Sequence, residues 1–209
     1  MHAAIREWVR VRLKSNPQPS AGIVDSQSVK TTGVGEQRGY DGGKKVKGRK
    51  RHLLVDTQGL VLKAKVHAAN VMDWDGIKTL LKRADVEFPR LKRLWLDSAY
   101  GGEDKGKDWV EKALGWSVKL VERPRKPAPK EVLKLWAEQW MKEGVKVDWE
   151  QLLPPKGFKV LPRRWLVERT FSWIDQNRRM SKDYERITET SKAFIYVAMS
   201  RLMGRRLAR

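Results

Sequence analysis

Three carboxylates in the sequence have the surroundings that metal-dependent phosphoryl transfer requires. Asp25 closes the short apolar run 21–24, Asp97 closes the run 94–96, and a serine follows each of them. Such runs predict buried strands that carry an acid at the end. Glu168 lies in a segment with helical periodicity. Carboxylate oxygens suit hard divalent cations, and two such ions about 3.5–4 Å apart can clamp an in-line displacement at phosphorus.

The surroundings of Glu168 allow two interpretations. Arg164 precedes it by one helical turn and Arg169 follows it directly. An i,i+4 ion pair on a solvated helix face is the ordinary explanation of this pattern. The two Asp-Ser motifs favour the functional alternative, in which Glu168 is a third metal ligand. Pro162 predicts that the helix begins just after it.

The segments around the three acids resemble a known family. They read DSQSVKT at 25–31, WLDSAY at 95–100 and RRWLVERTF at 163–171. In this order they resemble the motifs of DDE transposases of bacterial insertion sequences, most closely the insertion-sequence-five-like group. The resemblance extends from about residue 20 to residue 200.

The third motif departs from the broader family pattern, which is Tyr, two residues, Arg, three residues, Glu, six residues and Lys. The corresponding positions here are Leu161, Arg164, Glu168 and Asp175. The Arg and the Glu match, whereas the Tyr and the Lys do not. Arg178 or Lys182 is the expected replacement for the missing lysine.

The resemblance implies a chemistry and a set of residues. Asp25, Asp97 and Glu168 would be catalytic and would bind two Mg²⁺ ions, for which Mn²⁺ can substitute. DNA would be the substrate, as transposon ends and as target, with a homodimer acting on it. We expect DNA contacts from Lys44, Lys45, Lys47, Arg49, Lys50, Arg164, Arg169, Arg178, Arg179 and Lys182.

A basic, glycine-rich stretch at 31–50 supplies half of these cations. A flexible, solvated hairpin is one interpretation of such a stretch. The alternative is a loop that lies on phosphates, because glycine allows close approach of the backbone and lysine releases counterions.

The order of predicted elements is β-β-β-α-β-α-β-α. Strands are predicted near 21–25, 51–56, 60–68, 92–96 and 116–121, and helices at 73–84, 103–114, 163–179 and 188–206. This pattern predicts an α/β fold, with a mixed five-stranded sheet flanked by helices. The RNase H-like strand order is implied by the resemblance.

Composition points to a polyanionic partner. The net charge is +20 and hydrophobic residues make up 40% of the chain. Nucleic acid is the first choice of partner, and an anionic membrane surface is the second. The absence of cysteine excludes disulfides and thiolate chemistry. The sequence has no membrane-spanning run and no signal peptide, so we expect a cytoplasmic, nucleoid-associated protein.

The predicted domain organisation is simple. Residues 1–20 form a helix and a linker, and 21–209 form the catalytic domain, with a basic helical insertion at about 123–160. The N-terminal segment is too short for a helical DNA-reading module, so an upstream-frame DNA-binding product is an expected partner. Two alternatives remain: a catalytically inactive, transposase-derived DNA-binding protein, and a basic RNA-binding protein. His52 and His67 lie on predicted paired strands, but an imidazole pair suits zinc or copper better than magnesium.

Overall fold

The computed structural model describes residues 1–33, 35–121, 129–148 and 163–208. The chain divides into two compact units, of which the first comprises Met1–Val121 and Pro162–Arg209 and the second Glu122–Leu161. The part of the second unit that is described contains one helix, on which Trp136 and Trp140 are exposed. Residues 123–128 and 149–160 of the predicted basic insertion lie outside the described residues.

The first unit is built on one mixed sheet. Its strands are β1 (Ala21–Lys30), β2 (Gly39–Asp41), β3 (Val46–Asp56), β4 (Val61–Ala68), β5 (Arg93–Asp97) and β6 (Ser117–Val121). In space the order is β2-β3-β1-β5-β6, with β4 also pairing with β3. The first three long strands pair antiparallel, whereas β1, β5 and β6 pair parallel. The arrangement confirms the predicted mixed α/β class and is consistent with an RNase H-like fold.

The helices of the first unit cover the sheet. They are α1 (His2–Arg12), α2 (Asp73–Leu81), α3 (Ala84–Glu87), α4 (Gly106–Leu114), α6 (Arg164–Asp175) and α7 (Thr188–Leu207); α5 (Lys130–Lys142) is the helix of the second unit. Gly115 ends α4 with φ +63°, as the sequence predicts, because glycine adopts this left-handed conformation without strain. None of the helices in the described ranges is both long and apolar enough to cross a membrane.

Alternation along the strands divides the core between the two faces of the sheet. Val24 and Leu54 belong to a cluster with the buried residues of α2 and α4. Their neighbours Ile23 and Leu53 belong to a second cluster, with the buried residues of α6 and α7. Successive side chains of a strand point to opposite faces, so the odd-numbered positions of β1 face α6. Asp25 therefore shares the α6 face with Ile23.

The basic, glycine-rich stretch at 31–50 contains a hairpin in the structure, which is the element named in the first of its two interpretations. The sixth strand, β2, pairs with the first residues of β3, and β3 begins at Val46, before the predicted position 51. On the other side of β3, Gly48 allows a close approach to β1, because a Cβ atom there would lie 2.0 Å from the carbonyl oxygen of Val29. Such a close approach requires glycine. Lys44 and Lys45 then lie in the β2–β3 turn.

A buried histidine, His52, and a partly buried one, His67, lie on the face of the sheet opposite α6. His52 Nδ1 is 2.8 Å from His67 Nε2, and His52 Nε2 is 3.5 Å from Asp73 Oδ1. Burial lowers the pKa of His52 to about 4, and Lys50 nearby adds to the effect, whereas Asp73 opposes it. Burial lowers the pKa of His67 as well. Both imidazoles are therefore neutral in the folded protein at neutral pH.

We expect these histidines to make stability depend on pH. The unfolded chain takes up protons near pH 6.5, whereas folded His52 resists protonation down to about pH 4. The contribution of neutral His52 to the free energy of unfolding is therefore fully present above pH 6.5, and it is lost as the pH falls from 6.5 towards 4. In urea unfolding, the free energy of unfolding should fall less between pH 7.5 and pH 5 for His52→Gln than for the unsubstituted protein. An equal fall in the two proteins would contradict the expectation.

Candidate active site

Asp25 and Asp97 lie on adjacent parallel strands. The register of β1 and β5 pairs Gly22 with Leu94 and Ile23 with Trp95, and two further residues along the same direction lead to Asp25 and Asp97. Both carboxylates line one small cleft, and both are half-buried. Each accepts a hydrogen bond from the backbone N–H of the serine that follows it, at 2.7 Å for Asp25 and 2.6 Å for Asp97.

The end of β1 differs from the sequence prediction. The apolar run stops at Val24, but the strand continues to Lys30 because Asp25 and the residues after it pair with β3. Asp25 therefore stands in the middle of β1, at the point where its parallel pairing with β5 ends. Asp97 does end β5, as predicted.

The electrostatics of Asp25 are unusual for a carboxylate. Burial, with a smaller contribution from the neighbouring charge of Asp97, raises its pKa to about 6. The Ser26 backbone N–H, Arg164 and Lys44 act in the opposite direction without cancelling the effect of burial. A buried anion beside a second anion is unfavourable, and a bound cation would relieve this cost.

Helix α6 brings Arg164 and Glu168 to the two aspartates. Arg164 Nη1 lies 2.5 Å from Asp97 Oδ2, and Arg164 Nε lies 3.0 Å from Glu168 Oε1. The guanidinium thus bridges the acid of β5 and the acid of α6. Asp25 and Asp97 together raise the pKa of Arg164. Within the described ranges, no three acidic or imidazole side chains are arranged so that they could hold a metal ion jointly.

A larger surface cavity of about 470 Å³ joins Asp25 to Glu168; we call it the acidic cavity. It is lined by Asp25, Ser26, Gln27, Ser28, Lys44, Glu168, Phe171, Ser172 and Asp175. The strand β1, the β2–β3 turn and helix α6 all contribute to it. Asp25 lines both this cavity and the small cleft with Asp97, so the cavity and the cleft are neighbours on the surface.

The expected DNA-binding cations divide into exposed and buried sets. Lys44, Lys45 and Lys47 are exposed on the β2–β3 hairpin, and Arg178, Arg179 and Lys182 are exposed after α6. Arg164 is engaged with the acids, as described above. Arg169 packs between the rings of Trp165 and Trp173, at 4.4 and 4.5 Å from their centroids, and donates to the Gln58 carbonyl.

Arg49 and Lys50 require a correction. Both are buried in β3, on opposite faces of the sheet. Arg49 forms a 3.1 Å ion pair with Asp183, and Lys50 pairs with Asp73 at 3.0 Å and with Asp41 at 3.5 Å. Their charges are neutralised inside the protein, so these two side chains are not available to DNA phosphates in this structure.

Sequence reasoning missed a second surface on the same hairpin, which we call the cationic cavity. It has a volume of about 420 Å³ and is lined by Lys30, Thr31, Thr32, Gly33, Arg38, Tyr40, Lys45 and Lys47. None of its four cations forms an ion pair with a described acid. The signal was present in the sequence, but the pairing of β2 with β3 was needed to bring 30–40 beside 45–47.

Comparison with known proteins identifies the family. The sequence model of the transposase DDE domain matches residues 16–203, which is most of the chain. The matched range contains both Asp-Ser motifs and the whole of α6. A comparison with curated proteins finds no match. On the strength of the family match, the chain belongs to the transposase DDE domain family.

Proposed function

We propose that this chain cleaves and joins DNA strands at the ends of an insertion sequence, with Asp25, Asp97 and Glu168 as the ligands of two divalent metal ions. Membership of the transposase DDE domain family supports transposase activity with DNA as the substrate. We also propose that the chain belongs to the insertion-sequence-five-like group, on the basis of the three motifs at 25–31, 95–100 and 163–171.

One observation carries the proposal. Two half-buried aspartates stand side by side where two parallel strands meet, and α6 directs Glu168 to the same region through Arg164. A structural ion pair would explain Arg164 and Glu168 by themselves. It would not explain Asp25. Burial raises the pKa of Asp25 and so disfavours its ionised form, and a serine or an asparagine could occupy the same position in the strand without this cost.

The donor set suits Mg²⁺ or Mn²⁺ by its chemistry, because all three side chains offer carboxylate oxygens. Asp97 now binds Arg164, so we propose that the guanidinium turns from Asp97 to a DNA phosphate when metal and substrate bind. Two ions held by Asp25, Asp97 and Glu168 would activate the attacking water or 3′-hydroxyl and stabilise the leaving oxygen. The protein would position the strand and balance charge.

The proposed path of DNA follows the exposed cations. Lys44 lies at the acidic cavity, Lys45 and Lys47 at the cationic cavity, and Arg178, Arg179 and Lys182 after α6. Tyr40, which is exposed on β2, would offer a ring on which a base can stack. We further propose that a homodimer acts on DNA and that residues 21–209 form the catalytic domain, with sequence recognition supplied by an upstream-frame product.

Metal-dependent nicking of supercoiled plasmid tests the proposed function. The purified chain should nick the plasmid with Mg²⁺ or Mn²⁺, and EDTA should stop the reaction, because the carboxylates would have no cation to hold. Nicking that persists in EDTA would contradict the two-metal proposal. DNA binding without nicking under any divalent ion would favour the catalytically inactive alternative, which gains some support from the Arg164 bridge between Asp97 and Glu168.

A further inference from the structure

The lysines of the β2–β3 hairpin serve two different surfaces. Lys44 lines the acidic cavity with Asp25 and Glu168, whereas Lys45 and Lys47 line the cationic cavity. Neighbours in the sequence are thus separated by the turn. Among the described residues that line the acidic cavity, Lys44 is the only cation.

Lys44 is held in place at the edge of the acidic cavity. Its Nζ donates to the Ser26 carbonyl at 3.0 Å and contacts the Ser26 hydroxyl at 3.3 Å. Its backbone N–H donates to Asp41 Oδ1 at 3.0 Å, which anchors the turn. An ammonium group has three N–H donors. Ser26 occupies two of them, so one remains for a ligand beside Asp25.

The side of the acidic cavity formed by α6 carries an acid, although a cation there would be needed to bind a DNA phosphate. Asp175, on the last turn of α6, lines the same cavity and accepts a 2.6 Å hydrogen bond from Gln27. Burial raises the pKa of Asp175. Arg178 and Lys182, the replacements expected from sequence, are not among the described residues that line this cavity. Helix α6 therefore contributes no cation to it, and Arg164 is directed to Asp97 and Glu168.

We infer that Lys44 is the phosphate-binding group of the acidic cavity, so that the hairpin turn supplies the positive charge that α6 lacks. The inference deepens the proposed function, because it assumes that a DNA strand enters this cavity. The ligand is a phosphodiester of that strand. A lysine binds it as a point charge, and charge-assisted hydrogen bonds are about twice as strong as neutral ones. Lys44 acts by binding and positioning the strand.

Substitution of Lys44 tests the inference. Lys44→Met removes the charge and keeps the length of the side chain, and loss of one hydrogen bond to a charged group should weaken DNA binding or nicking about 10- to 100-fold. Lys44→Arg should restore most of the loss. Lys92→Met is the matched control, since it removes one charge from an exposed lysine far along the chain. We expect it to bind and nick as the unsubstituted protein does.

Two measurements keep the inference separate from the proposed function. Fluorescence anisotropy with a labelled DNA duplex in the absence of divalent ions needs no cleavage, and plasmid nicking in Mg²⁺ needs it. If the unsubstituted protein binds the duplex but never nicks the plasmid, the proposed function is wrong. The affinities of the Lys44 variants then still test whether Lys44 binds a DNA phosphate. If Lys44→Met and Lys92→Met lose equal affinity, or if Lys44→Arg is as impaired as Lys44→Met, the assignment of Lys44 is wrong.

Moving the positive charge from one side of the cavity to the other by substitution provides a more specific test. In Lys44→Met/Asp175→Lys the cation comes from α6 instead of the turn, and we expect binding to recover by at least half of the loss on a logarithmic scale. Asp175→Asn in the Lys44→Met background is the control for removal of the acid alone. Asp175 Oδ1 lies 3.7 Å from Nη1 of the buried Arg51, so melting curves are needed to show whether a lysine at position 175 is tolerated beside that guanidinium. A folded double variant without recovery beyond this control would overturn the inference.

Discussion

Asp25→Asn is expected to stop nicking while leaving the folded protein at least as stable as before. Asparagine keeps the shape of the side chain and one oxygen, but it loses the charge that would bind a divalent ion. Metal ions contribute several kcal/mol of transition-state stabilisation, and each 1.36 kcal/mol is worth a factor of ten. The rate of metal-dependent nicking should therefore fall about 10³-fold or more.

The stability of Asp25→Asn follows from the pKa of the acid. The folded pKa of about 6 is above the ordinary value of 3.8, so folded Asp25 binds a proton more readily than unfolded Asp25. Its ionised form opposes folding at neutral pH, and the protein gains stability as the pH falls through 6. Asparagine resembles the protonated form. Without metal, the variant should unfold at a higher urea concentration at pH 7.5, with a smaller difference at pH 5.

Asp75→Asn serves as the control for Asp25→Asn. This acid is exposed on α2 and contacts Lys78 at 3.4 Å, so its removal should change neither nicking nor stability measurably. If Asp25→Asn nicks at the rate of the Asp75 control, Asp25 is not a metal ligand of the reaction. If the melting temperature of Asp25→Asn is well below that of Asp75→Asn, the loss of nicking would result from damage to the fold and not from loss of a metal ligand.

Asp183→Ala is expected to cost more stability than any surface substitution. Asp183 and Arg49 form a 3.1 Å ion pair in which both side chains are 0% exposed, and Ser191 donates to the second oxygen of Asp183 at 2.6 Å. Removing one member of a buried pair leaves an uncompensated charge, at a cost of about 3–5 kcal/mol. For a chain of this length the melting temperature should fall by roughly 6–20 °C.

Lys112→Ala is the control for the buried pair. Lys112 and Asp104 are 3.6 Å apart and largely exposed, so their ion pair should contribute little to melting. The double variant Arg49→Met/Asp183→Leu should be more stable than Asp183→Ala, because it buries no unpaired charge. Calorimetry decides the matter: equal melting temperatures for Asp183→Ala and Lys112→Ala would show that Arg49 finds other partners, such as the Glu185 carbonyl at 2.8 Å.

The sequence by itself determined the elements and the three acids. Apolar runs and their alternation predicted the long strands, and helical periodicity predicted α2, α4, α6 and α7 within a few residues. These signals are local, because a side chain's position in a strand or helix depends on its near neighbours. The Asp-Ser motifs then placed Asp25 and Asp97 on strands that prove to be adjacent. The family match confirms the resemblance to DDE transposases, and the mixed sheet confirms the predicted fold class, whereas the catalytic roles of the three acids stay predictions.

Only the tertiary structure decided which charges face solvent. Arg49 and Lys50 look like surface cations in a basic stretch, yet Arg49 is paired with an acid 134 residues away, and Lys50 is paired with acids of β2 and α2. The same holds for Lys44 and Lys45, which a turn directs to different cavities. Whether a charge is buried depends on partners that the fold brings from distant parts of the chain, and a local charge pattern contains no record of them.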